Sequence, residues 1–166
     1  MSALLLAGCG GAEKPDLSVA ASAAGGELYA QPYELGIGAH TTQPVTYPTA
    51  PPVNGTHHPV WAQDGNYAGA EPPRVEQLVH AMEHGRVIVW FRKDLPADQI
   101  AALERFVASD DRHMLLVEDR TGMPCDIAIT AWAHGMRCER FRGNATIAAL
   151  KAFRDTYRDQ GPETVL

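Results

Sequence analysis

Periodic apolar patterning sets in late along the chain and then continues almost to its end. Val75, Leu78, Val79 and Met82 fall at i, i+3, i+4 and i+7, the stripe of an amphipathic helix that starts after Pro72-Pro73 and stops at Gly85. A short β-rich run, "RVIVWFR", follows; then comes "LPADQIAALERFVAS", a helix with Ile100, Leu103, Phe106 and Val107 on one side, and then a second strand, "HMLLVE". Strand, helix, strand implies a right-handed parallel pair. After Met123-Pro124 the run "DIAITAWAHGMRCERF" reads as a hairpin turning at His134-Gly135. A helix from about Asn144 closes the pattern, with Ile147, Leu150, Phe153 and Tyr157 as its inner face. These elements predict an α+β fold: a single small domain over 36–163, with a mixed sheet made of a strand-helix-strand unit and a hairpin, and a C-terminal helix. The same order also suits a thioredoxin-like topology, by analogy only. With no Cys-x-x-Cys in the chain, that analogy carries no dithiol chemistry.

Upstream the pattern fades. "GGAEKPDLSVAASAAGGE" is small and polar and predicts a flexible tether over 9–35. "TTQPVTYPTAPPVNGTHHP", Thr41 to Pro59, predicts an extended, polyproline-like segment laid over a surface. At the start, Leu6-Ala7-Gly8-Cys9 resembles the lipobox of bacterial lipoproteins. Residues 1–8 would then be a truncated signal peptide cut before Cys9. Acyl chains on that cysteine would anchor the protein to a cell membrane or outer membrane, facing the extracytoplasmic space. Only about eight residues precede Cys9 where a signal peptide has roughly 15–30, which a start placed too late would explain. No later stretch reaches the roughly 18–20 uninterrupted apolar residues of a spanning helix.

Composition narrows the partners more than the fold. A chain of 166 residues, 45% hydrophobic, suits one domain with a real core. A net charge of −6, with no Lys/Arg cluster, lacks the electrostatic footprint of a nucleic-acid binder. Cys125 and Cys138 would be worth pairing in an oxidising compartment. With the turn at His134-Gly135, however, Cys138 lies opposite about Ala131, which leaves Cys125 about 20 Å away along its strand. A bridge spans only ~5.5 Å between α-carbons, so free thiols are expected.

The chemistry lies in the histidines. His80 and His84 sit one turn apart on the side of their helix away from the apolar stripe, close enough to share one ion. His84 also falls in the last turn, where the helix dipole favours a cation. A third ligand is expected from "NGTHHPVW": adjacent side chains in an extended segment point to opposite sides, so one of His57 and His58 would coordinate. Glu83 is a ligand, an orienting partner or a solvated residue. Met82 lies on the apolar stripe and reads as core, whereas Met123, Cys125 and Met136 would need the fold to bring them near. The candidate cofactor is a divalent transition metal, copper or zinc. "HAMEH" also has the order of inverzincin metalloproteases, with Glu83 as general base, but no third ligand or substrate cleft is legible. A metal-free alternative is a module that docks a cell-envelope protein through Trp61 and Tyr67, its histidines bonding Pro-rich backbone.

Laid in order, "YPTAPPVNGTHHPVW", "GNY", "VHAMEHGRVIVWFR", "LPADQIAALERF", "ITAW" and "FRDTYRDQGPE" resemble the bacterial family called domain of unknown function 3105. The resemblance covers roughly Thr46 to Glu163, and the joint presence of Pro-Pro-x-x-Gly-x-His-His-Pro and His-x-x-Glu-His-Gly makes it specific. It implies an exported, often membrane-attached protein with no assigned activity. Cys125 and Cys138 look like departures from the family pattern, which argues against an essential shared role for either.

Overall fold

A computed structural model describes residues 16–32 and 39–163. In chain order its elements are α1 (Leu17–Ala24), β1 (Gly26–Ala30), β2 (Gly65–Asn66), α2 (Val75–Glu83), β3 (Val87–Phe91), α3 (Ala97–Ala108), β4 (Met114–Glu118), β5 (Ile127–Ala131), β6 (His134–Cys138) and α4 (Asn144–Tyr157). The strands form one mixed sheet in the order β1-β6-β5-β3-β4-β2. β3 pairs parallel with β4 and antiparallel with β5, and β5 and β6 form the hairpin. The α+β expectation therefore holds, including the parallel pair around α3. The thioredoxin-like reading remains an analogy of element order.

Strand alternation divides the core into two layers. Val87, Val89 and Phe91 of β3, with Met114 and Leu116 of β4, pack against Leu103, Phe106 and Val107 of α3 and Leu150 and Phe153 of α4. Ile88 and Trp90, with Leu115 and Val117, face the other way onto Leu78, Val79 and Met82 of α2. Both faces of the central strands are covered, which is why they read as continuous apolar runs. Trp90 carries the one polar atom this layer must satisfy on β3, and its indole N–H donates to Thr130 Oγ1 of β5 at 2.8 Å.

Three expectations need correction. Within the stretch read as a tether, residues 17–30 form α1 and β1. Asp16 caps α1, its Oδ1 accepting from the N–H of Ser18 at 2.8 Å and of Val19 at 3.3 Å, and Gly25 ends it at φ 63°. Small side chains are what the site requires, because Ala21 and Ala24 are buried in the α1, α3 and α4 layer. The stretch 9–15, with Cys9 and the expected signal peptide, lies outside the described residues.

The hairpin turns at Trp132-Ala133, with Ala133 at φ 65°, and Gly135 lies inside β6. Gly135 faces Tyr29 of β1, and a Cβ there would stand 2.6 Å from the phenolic oxygen, so this glycine permits a close approach and makes no turn. The register places Cys138 opposite Ile127, close to Cys125 in sequence terms. The thiols are nevertheless free, because Cys125 packs in the α2 layer and Cys138 in the opposite one. Among the described residues no helix is long and apolar enough to cross a membrane.

Candidate metal centre

α2 is bounded as its sequence implies. Gln77 Oε1 accepts from the Arg74 N–H at 3.2 Å at its start, and Gly85 ends it at φ 79°. Leu78, Val79 and Met82 pack on the sheet as expected. The opposite side is covered too: His80, Glu83 and His84 are all buried.

The cover is the segment 39–62, which has almost no regular structure and is tied down by individual bonds. His58 N–H donates to the Glu76 carbonyl at 3.2 Å, and Ala62 N–H to the Gln77 carbonyl at 3.1 Å. Val45 N–H donates to the Glu76 carboxylate at 3.0 Å. The carbonyl of Val53 accepts from Ala133 N–H at 2.8 Å, that of Pro51 from Tyr29 Oη at 3.1 Å, and that of Thr56 from Tyr47 Oη at 2.8 Å. Pro51 to Gly55 are buried in consequence. A parallel bridge, with Thr41 N–H to the His57 carbonyl at 2.7 Å and His57 N–H to the Ala39 carbonyl at 3.1 Å, sets His40 beside His57.

This cover delivers His57 to the helix. The ring of His57 is 0% exposed and lies 4.7 Å from that of His80 and 5.0 Å from that of His40, centre to centre. His57 Nδ1 donates to the Gly55 carbonyl at 2.9 Å, and His80 Nδ1 to the His58 carbonyl at 2.6 Å. A carbonyl only accepts, so in the neutral ring each bond fixes the proton on Nδ1 and leaves Nε2 bare. Nε2 of His57 stands 3.0 Å from Glu83 Oε2, off the direction of a hydrogen bond, and is a buried nitrogen with no hydrogen-bond partner. Nε2 of His80 lies 2.8 Å from His84 Nε2.

Burial governs the charges. It depresses the imidazolium of His80 to about 4 and lowers those of His57 and His84 below their ordinary value, with the Glu163 carboxylate pulling His84 the other way. It raises the carboxyl of Glu83 to about 7, helped by the charge of Glu163. Near neutral pH these rings are uncharged, with lone pairs available, which is the form that ligates a metal.

His40, His57, His80 and Glu83 each offer one ligand atom, all within 4.8 Å of one another, and together could hold a metal ion. A tetrahedral ion with bonds of about 2.0–2.1 Å sets its ligands roughly 3.3 Å apart. The carbonyls on Nδ1 of His57 and His80 are the kind of outer partner that orients imidazole ligands.

The structure unites three of the five residues singled out from sequence: His57, His80 and Glu83. His58 is only partly buried, its ring turned back to accept from Val60 N–H at 3.0 Å, and it contributes its carbonyl instead. His84 stands beside the group as a neighbour of His80. His40 was not anticipated, because nothing near it in sequence forms a motif and only the bridge to His57 places it. Met82, Met123, Met136, Cys125 and Cys138 lie in the two core clusters.

A family model described as "Protein of unknown function (DUF3105)" matches residues 39–165, a span that contains every residue of this group. No curated protein and no solved structure matches the chain.

Proposed function

The chain belongs to the DUF3105 family of proteins of unknown function, and we propose that it binds a transition metal ion, zinc or copper(II), through His40, His57, His80 and Glu83. The observation that carries this reading is the pair of bare, inward-facing Nε2 atoms on His57 and His80, each fixed by a carbonyl on the far side of its ring. Imidazole and carboxylate donors suit these divalent ions, and among the described residues the methionine sulfurs that would favour copper(I) are in the core. The role is storage, delivery or structural reinforcement. Hydrolysis fits less well, since Glu83 stands among the ligand atoms and has no separate position from which to act on bound water. The lipobox-like Leu6-Ala7-Gly8-Cys9 supports an anchored, extracytoplasmic setting.

Elemental analysis of untagged protein, followed by zinc and copper titration, tests the site. We expect about one ion per chain and loss of binding in His57→Ala/His80→Ala. No bound ion and no micromolar uptake would overturn the proposal. A second reading has its own observation: the Nδ1 bonds of His57 and His80 already clamp the cover to its own backbone and to α2 without any ion. That reading, a metal-free docking module, predicts that the double variant loosens 39–62 in chelator-treated protein, with metal making no difference. Anchoring is tested separately: Cys9→Ser should move the protein from the membrane fraction to the soluble one.

A further inference from the structure

We propose that His84 is a latch on the metal centre and not one of its ligands: its ring holds the lone pair of His80 that an incoming ion must take. This rests on the metal-binding reading above and concerns how that same site is loaded.

The proton positions follow from the partners. His80 Nδ1 is 2.6 Å from the His58 carbonyl oxygen, so its proton is there and its Nε2 is bare. His84 Nε2 lies 2.8 Å from that bare nitrogen, and two unprotonated nitrogens do not approach so closely, so His84 Nε2–H is the donor. On the other side of the ring, His84 Nδ1 is buried with no hydrogen bond of full geometry, although the Glu163 backbone lies near it and the Glu163 carboxylate stands 3.9 Å away. The short contact to His80 is therefore what assigns the proton to Nε2. Trp61 holds the arrangement by setting its ring edge-on to both imidazoles, 5.5 Å from His80 and 4.9 Å from His84.

His84 is also outside the set of ligand atoms that lie within 4.8 Å of one another. An ion that binds His40, His57, His80 and Glu83 must therefore break the His84–His80 hydrogen bond, and its affinity is reduced accordingly. The adjacent histidines at the helix end have opposite effects on loading: one ligates and the other competes.

Zinc affinity measured against a competing chelator tests this by sign. His84→Leu removes the donor and should tighten binding roughly two- to tenfold, the worth of one ordinary hydrogen bond. His84→Gln, whose amide can still donate, should fall between wild type and the leucine variant. Weaker binding in His84→Leu would make His84 a ligand and overturn the latch. In case the leucine variant folds poorly, the metal-free wild type supplies a second test: with 15N-labelled histidine, a coupling should be seen across the Nε2–H···Nε2 bond. Its absence, or a proton on His84 Nδ1, overturns the latch whatever the metal results. A coupling present in a protein that takes up neither zinc nor copper would overturn the metal reading and the latch together, leaving only a structural hydrogen bond.

Discussion

His57 and His58 have the same side chain, yet one is wholly enclosed and the other lends only a carbonyl. Alternation along an extended chain requires that one of the two turn inward. Which one does so depends on pairings distant in sequence: His57 with His40, and His58 N–H with the Glu76 carbonyl. Glu83 allows a test by pH. Its carboxyl is raised from 4.5 to about 7 in the folded protein, so the proton it keeps contributes stability that is full below pH 4.5 and lost as pH rises through 7. His57, His80 and His84 act in the opposite sense. Lowered from 6.5, to about 4 for His80, they contribute stability present above pH 6.5 and lost as pH falls through their folded values. In metal-free protein, Glu83→Gln should therefore raise the urea midpoint at pH 8 and change it little at pH 4. In zinc-loaded protein the same substitution should lower the midpoint at pH 8, because a ligand is lost. A midpoint at pH 8 that fails to rise in the metal-free variant would mean the carboxylate is not penalised by burial.

α1 illustrates how an element escapes a pattern search. Its buried positions are alanines, which leave no apolar stripe for a periodicity search to find, and the Asp16 cap and Gly25 terminator emerge only with the structure. Ala24→Leu separates a packed helix from a tether: we expect a loss of about 1–3 kcal/mol in denaturant unfolding from overpacking, where a tether would tolerate the change. Gly135 misled for a related reason, since a glycine near two strands suggests a turn. Here it makes room for Tyr29, whose ring is also capped by the Arg137 guanidinium 4.1 Å from its centre. Gly135→Ala should cost about 1–3 kcal/mol in the wild type and much less when introduced into a Tyr29→Ala background, because the colliding ring is gone. α2, α3, α4 and β3 to β6 were legible because each carries enough large apolar residues at its own period. β2, two residues long, has no period to read.

Binding of an ion to residues from the cover and from α2 would tie together parts of the chain that are far apart in sequence. Zinc at roughly 100 times its dissociation constant should add about 2.7 kcal/mol. For a domain of this size that corresponds to a rise of roughly 5–10 °C in Tm, measured by calorimetry. The rise should vanish in His57→Ala/His80→Ala, and hydrogen exchange in 39–62 should slow on loading of the wild type only. The C-terminal stretch belongs to the same assembly: Glu163 N–H donates to the Glu83 carbonyl at 3.1 Å, and Asp159 N–H to the Gly85 carbonyl at 2.9 Å. From the sequence alone came the α+β class, the helix with an apolar and a polar side, and the expectation that one histidine of "THHP" meets His80. Those follow from local periodicity and from the alternation of an extended chain, which depend on near neighbours. The enclosure of the polar side, the recruitment of His40, the separation of His84 from the ligand group and the burial of α1 were decided only by the tertiary structure. Each is a contact between residues remote along the chain, and its energy exists only once the cover, the helix and the sheet are packed together.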